Sequence, residues 1–170
     1  MDFFDVIRVR QSIRKFQPRK IEPEVLDELL KAIRTTPTAG NLQSYQVFLT
    51  ESLDKIKALA AASYGQSCVS EAPAVLIFCT DAPRAADYGE RGRTLYCVQD
   101  ATIAATIAHL AAAALGLGSV MVGAFKTADV AKAIDAPAHL VPIMMLPIGH
   151  PNETPSRTRR RSLEDLIIRL

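Results

Sequence analysis

The sequence predicts an α+β fold, and three observations carry that expectation. Ala74–Cys79, bounded by Pro73 and Asp81, and Leu140–Ile148 are short continuous apolar runs, as expected of strands buried on both faces. Residues 93–115 form a longer alanine-rich apolar stretch ended by Gly116-Leu117-Gly118, which reads as a central helix. Between Pro23 and Pro37, Val25, Leu26, Leu29, Leu30 and Ile33 recur at helical spacing, as one apolar stripe.

From the start of the chain, Asp2 to about Arg10 reads as a short helix with Phe3, Val6 and Ile7 on its apolar side. Ser12–Phe16 follows as a loop or short extended segment closed by Pro18. Pro23 opens the second helix, where its missing N–H costs nothing. Pro37-Thr38-Ala39-Gly40-Asn41 is a loop by composition. Gln46–Thr50 reads as a strand, and Ser52 is a candidate N-cap for a helix over Leu53–Ser63. Residues 81–92 read as a loop, Ser119–Val122 as a strand and Thr127–Ile134 as a short helix. The central helix is apolar almost all round, so it must be wrapped by other elements or pack on a second subunit. Ser162–Leu170 alternates apolar and charged residues beyond a Pro- and Arg-rich stretch, and reads as an arm that needs something to lie on. Neither an internal repeat nor a dividing linker is present, so residues 1–170 are expected to form one domain, with 162–170 as its arm.

At 49% hydrophobic and 22% charged, composition excludes disordered and low-complexity classes. Three cysteines without C-x-x-C spacing exclude a disulfide framework or structural zinc site, and suggest a reduced, cytoplasmic setting. The acidic start does not fit a secretory signal, and the long apolar stretch carries Gln99, Asp100 and His109, unlike a membrane span. Tryptophan is absent, which excludes tryptophan cages.

The net charge of +2 hides an uneven distribution. Residues 1–20 hold six basic residues against two acids, and residues 151–170 hold five against three, around an acidic middle. Arg8, Arg10, Arg14 and Lys15 cluster near one end, and Arg157, Arg159, Arg160 and Arg161 near the other. Such clusters can be plain solvated faces or a weak nucleic-acid patch. The first, however, is interleaved with Gln11 and Ser12 at a junction between helix and extended chain. Arginine, hydroxyl and amide together at such a junction suit a phosphate monoester.

Other chemistries find little support. His109, His139 and His150 lack metal-ligand spacing, and His109 is expected to be a satisfied core or interface residue. There is no G-x-S-x-G elbow, Rossmann fingerprint or P-loop. Cys68, Cys79 and Cys97 read as small buried hydrophobes. A site without nucleophile, metal or acid–base pair suggests an organic cofactor.

Four motifs in order resemble those of the nitroreductase family of FMN-dependent oxidoreductases, in its short single-domain form. Arg10-Gln11-Ser12-Ile13-Arg14-Lys15-Phe16 is similar to the family's R-R-S-I-R-x-F, with Gln11 in place of a basic residue. Pro37-Thr38-Ala39-Gly40-Asn41-Leu42-Gln43-Ser44-Tyr45 is similar to P-S-A-G-N-x-Q-P-W, with Thr38 for Ser and Ser44-Tyr45 for Pro-Trp. The helix ending at Gly118-Ser119 resembles the family's central dimer helix, and Met121-Val122-Gly123 follows it. Pro147-Ile148-Gly149-His150-Pro151 and Arg159-Arg160-Arg161-Ser162-Leu163-Glu164 resemble P-I-G-x-P and R-R-x-P-L-E-E.

The resemblance implies a nitroreductase-like fold, with a mostly antiparallel sheet flanked by helices, and an intertwined homodimer with FMN at the subunit interface. It implies that Arg10, Gln11, Ser12 and Arg14 hold the flavin's phosphate and pyrimidine edge. It places Pro37, Thr38, Ala39 and Asn41 against the flavin, in part from the partner subunit. Met121, Val122 and Gly123 would meet the ring through their backbone, with Gln66 and Asn41 second-rank ring contacts. Register favours Arg160 for the tail's phosphate contact, with Arg159 or Arg161 open, and Lys15 or Arg14 would stabilise negative charge on the ring. The implied activity is hydride transfer from NADH or NADPH through flavin N5 to a small acceptor such as a nitroaromatic or quinone, by a ping-pong cycle. Dehalogenation, flavin fragmentation and flavin binding without turnover are the alternatives. Neither nucleic acid, membrane nor metal is implied as a partner.

Overall fold

The computed structural model describes all residues 1–170. Helix α1 (Phe3–Val9) is capped by Asp2, whose carboxylate accepts from Asp5 N at 2.8 Å. Of its expected apolar side only Val6 is buried, whereas Phe3 and Ile7 face outward with Phe4. Helix α2 (Pro23–Arg34) starts at its proline and buries Leu26, Leu29 and Ile33. Strand β1 (Tyr45–Thr50), α3 (Leu53–Ala62) and α4 (Ser67–Ser70) lead to β2 (Ala74–Asp81), all eight of whose residues are buried. Ser52 occupies the N-cap of α3, without a capping bond from its hydroxyl.

Of the loop expected over 81–92, Asp81 ends β2 and residues 82–92 are helical. A 3₁₀ segment (Ala82–Tyr88), one turn of helix α5 (Gly89–Arg91) and a π turn (Gly92–Tyr96) run into α6 (Cys97–Ala114). Pro83 lies in the first turn, where no N–H is needed. Gly92 is required by close approach, since a Cβ there would strike the Ala85 carbonyl oxygen.

After α6 come β3 (Gly118–Ser119), α7 (Thr127–Ala133), β4 (Leu140–Gly149) and the single turn α8 (Leu163–Leu166). The sheet is antiparallel throughout, in the order β1-β2-β4-β3. The expected strand over 119–122 is broken after Ser119, and Pro147 is the reason. Val120 faces Pro147, which has no N–H to return the ladder bond. The single bond from Val120 N to Pro147 O is stretched to 3.4 Å. Pairing resumes at Val122 and Met145, which exchange two bonds of 2.9 Å. A register shift opposite Pro142 accommodates the other proline of β4.

Alternate residues of β2 feed two cores, as a two-residue period demands. Val75, Ile77 and Cys79 pack with α3, α4 and α7. Ala74, Leu76 and Phe78 pack with α2 and α6. At about 1.5–3 kcal/mol for each large side chain buried, this strand anchors both layers.

Residues 82–114 are long and apolar enough to cross a membrane by length and composition, yet α6 lies in the core against α2, β2 and β4. It is not wrapped on every side. Val98, Gln99, Thr102, Ile103 and Thr106 form an outward stripe without a single charge. Thr102 and Thr106 bond back to Val98 O and Thr102 O, so their hydroxyls are satisfied within the helix.

Candidate active site

The segment between α1 and α2 is built into the sheet from two sides. Ser12 bridges Ser119 of β3, and Ile13 N donates to Ser119 O at 2.9 Å. The close approach needs Gly118, where a Cβ would meet Ile13 at 2.7 Å. On the other side lies the chain leaving β4. Gln17 N donates to His150 O at 2.8 Å and Asn152 N to Lys15 O at 2.9 Å. Glu153 Oε1 accepts from Arg14 N at 2.5 Å and Lys15 N at 3.2 Å. The N-terminal loop and the C-terminal tail are thereby laid together.

Between them is a cavity of about 330 Å³. Five arginines line it, Arg8, Arg10, Arg14, Arg157 and Arg160, with Gln11 and Ser12 and no acidic residue. Arg8 pairs with Asp5. The other four form no ion pair with any carboxylate. Four guanidinium groups outside any ion pair around one concavity are chemically suited to an anionic ligand. Arg160 is steadied by donating to Thr158 Oγ1 at 2.6 Å. Arg159 and Arg161 line only a separate groove, with Ser162 and Asp165, which Arg160 borders as well, and Arg161 pairs with Asp165 at 3.5 Å. Arg157 faces the cavity although sequence reasoning passed over it. Its place in the basic tail was the available signal.

Pro37, Thr38 and Ala39 line a different cavity, of about 650 Å³, with Tyr96, Val98 and Ile103. Their loop is pinned by Asp100, a buried carboxylate in the first turn of α6. Oδ1 accepts from Ala39 N at 3.0 Å, and Oδ2 from Ser44 Oγ at 2.6 Å and Ser44 N at 3.3 Å. Thr38 Oγ1 accepts from Gln43 N at 3.1 Å. Gly40 and Asn41 adopt left-handed conformations with φ of 54° and 58°, and Tyr88 leans on Gly40. Asn41 itself lines neither cavity.

Gln66, Met121, Val122 and Gly123 also lie outside both cavities. The Gln66 amide donates to Ser63 O and Ala124 O, each at 3.0 Å, so both its protons are spent on backbone. Val122 is buried in its bridge to β4, whereas Gly123 is open.

His109 is buried as expected, but it is not a bystander. Its Nε2 lies 3.0 Å from Arg10 Nη1 and its Nδ1 lies 2.6 Å from Ser119 Oγ. Burial first, then the Arg10 charge, depress its pKa from 6.5 to about 4. A folded state that refuses a proton the unfolded chain accepts is most stable above pH 6.5. That contribution is lost as pH falls from 6.5 toward 4, and amounts to about 3 kcal/mol at most. Urea unfolding of wild type and His109→Gln at pH 7.5 and 4.5 checks this. The wild type should lose more stability than the variant, and equal losses would refute it. Sequence reasoning missed Asp100, His109 and Ser119 as parts of the site. The signal was one acid and one imidazole interrupting an otherwise uncharged helix.

Comparison with known proteins decides the family, because the model of the Nitroreductase family matches residues 7–150. The chain belongs to the nitroreductase family. Its relatives include a Methanothermobacter thermautotrophicus protein named as an NADH dehydrogenase/NAD(P)H nitroreductase. It is 29% identical over 159 residues, covering 91% of this chain and 80% of that protein. Bacillus subtilis FMN reductase [NAD(P)H] is 28% identical over 164 residues, covering 88% of this chain and 66% of its own length. Among solved structures, the Vibrio harveyi NADPH:FMN oxidoreductase complexed with NAD+ superposes with a TM-score of 0.89. The match is 25% identical and covers 98% of this chain and 76% of that one. The nitroreductase fold expected from the four motifs is therefore the fold observed.

Proposed function

We propose that the chain is an FMN-dependent NAD(P)H oxidoreductase whose arginine cavity seats the cofactor's phosphate. One observation carries the reading: arginines from both ends of the chain converge on a single acid-free cavity, and four of the five pair with no carboxylate. That donor set fits a phosphate dianion, and Ser12 and Gln11 add a hydroxyl and an amide. When bound, FMN supplies a ring that takes hydride from NADH or NADPH and passes it to a small organic acceptor such as a nitroaromatic or quinone, in ping-pong alternation. The protein's part is binding and positioning. Arg10, Arg14, Arg157 and Arg160 hold the anion, and Glu153 fixes the loop that carries Arg14 through its backbone. Lys15, whose ammonium pairs with no carboxylate, is the candidate for stabilising negative charge at the ring's carbonyl edge.

A homodimer completes this reading. Asp100, which orders the Pro37–Asn41 loop, and His109, which contacts Arg10, are nine residues apart on α6, about 13 Å of helix rise. A two-fold axis across α6 would set one subunit's loop against the other's arginine cavity. The uncharged stripe of α6 supports such a contact. So do the exposed Phe3, Phe4, Leu163, Leu166, Ile167 and Ile168. We read residues 1–170 as one domain with 162–170 as an arm over the partner, in a cytoplasmic setting. Deleting residues 163–170 should weaken the dimer at least tenfold in sedimentation at low concentration; an unchanged dimer constant would count against the arm.

The function is tested by adding NADH or NADPH to the purified protein, expected to be yellow, under argon. Rapid bleaching and recolouring on addition of a nitroaromatic or quinone are expected. A colour that persists would point to flavin storage, and a colourless preparation with salt-sensitive nucleic-acid binding to a basic interaction module.

A further inference from the structure

Arg10 differs from the other cavity arginines in what holds it. A guanidinium has donors only, so its contact with His109 requires a bare Nε2. The imidazole proton then sits on Nδ1, where Ser119 Oγ accepts it. Ser119 is itself fixed, since it bridges Ser12 and takes the Ile13 N–H on its carbonyl. The chain of contacts runs from β3 through the imidazole to a guanidinium that lines the cavity.

We propose that His109 is a positioning residue, a neutral acceptor that aims the Arg10 guanidinium into the arginine cavity. This rests on reading that cavity as the phosphate seat of FMN. A long arginine side chain loses about 2 kcal/mol of rotamer entropy when immobilised, so fixing it beforehand favours binding. A carboxylate could fix it too, but would cancel its charge and compete with the phosphate. A neutral imidazole restrains the guanidinium and leaves the charge for the ligand. The charged groups around His109 are Arg10 itself, with Glu153 and Arg157 on the adjoining cavity that all of them line. Two cations against one carboxylate favour the neutral ring, in line with its depressed pKa.

The test compares FMN with riboflavin, which lacks the phosphate, by fluorescence titration of the full-length chain freed of flavin. The ratio of the two dissociation constants reads the phosphate seat alone. Wild type should prefer FMN strongly, and Arg14→Ala should lower that preference. His109→Leu should lower the ratio about fivefold or more. His109→Gln, whose amide oxygen can accept near the place of Nε2, should stay within about twofold of wild type. An unchanged ratio in folded His109→Leu overturns the proposal, as does an equal loss in both variants, which would mean packing rather than hydrogen bonding. Should His109→Leu fail to fold, Ser119→Ala decides. A two- to threefold lower ratio is expected from an imidazole free to change tautomer, and a wild-type ratio overturns the claim. A wild type that binds FMN and riboflavin alike removes the phosphate seat, and the role of His109 with it; that outcome is distinct because it needs no variant.

Discussion

Asp100→Ala is expected to lower the unfolding free energy by about 4 kcal/mol and to release the Pro37–Ser44 loop from α6. The carboxylate is buried and accepts three bonds, from Ala39 N, Ser44 N and Ser44 Oγ. Bonds to a charged group contribute roughly 1.5–3 kcal/mol each, and each buried donor left unpaired costs about 1–3 kcal/mol. Water entering from the adjoining cavity offsets part of that loss, which is why the total falls short of the sum. For a chain of this size the melting temperature should drop by about 10 °C. Limited proteolysis should then cut within 37–44 before the rest of the chain. Asp100→Asn keeps the volume and one acceptor oxygen, but turns an amide donor toward donors, so an intermediate loss is expected. A melt of Asp100→Ala within about 2 °C of wild type would show that the loop is held by other means.

Arg14→Ala should bind FMN about 10–100-fold more weakly while folding normally. One charge-assisted phosphate contact is worth roughly 1.5–3 kcal/mol, and about 1.4 kcal/mol is tenfold in affinity. Normal folding follows from the contacts. The Arg14 side chain has no carboxylate partner, and its bond to Glu153 comes from the backbone N–H, which alanine keeps. Riboflavin affinity should barely move, so the loss tracks the phosphate. The measurement is flavin fluorescence titration beside a thermal melt. FMN affinity equal to wild type would take Arg14 out of the anion seat.

Much of this was legible in one dimension. The buried strands β2 and β4 announced themselves as apolar runs over Ala74–Cys79 and Leu140–Ile148, and α2 as a period-3.6 stripe behind Pro23. The convergence of Arg10, Arg14 and Arg160 was expected from the motifs and the basic ends. Three things were not legible. Pro147 stops β3 only because it happens to face Val120 across the sheet. The helical path over 82–92 depends on Tyr88 and Ala85 packing against a buried Gly92, whereas sequence patterns treat Pro83 and its glycines as breakers. The choice of Arg157 with Arg160, rather than Arg159 or Arg161, depends on how the tail lies against residues 14–17.

The linear chain alone determined which segments bury apolar surface, where turns fall and that two distant stretches carry excess positive charge, since periodicity and composition are local properties. Only the tertiary structure decided that those charges share one cavity, that a lone aspartate ties a loop to α6 and that a lone histidine restrains Arg10. Each of these joins groups roughly 60 to 150 positions apart. Such pairings are set by the antiparallel register and by which helix crosses which strand, so no local pattern records them.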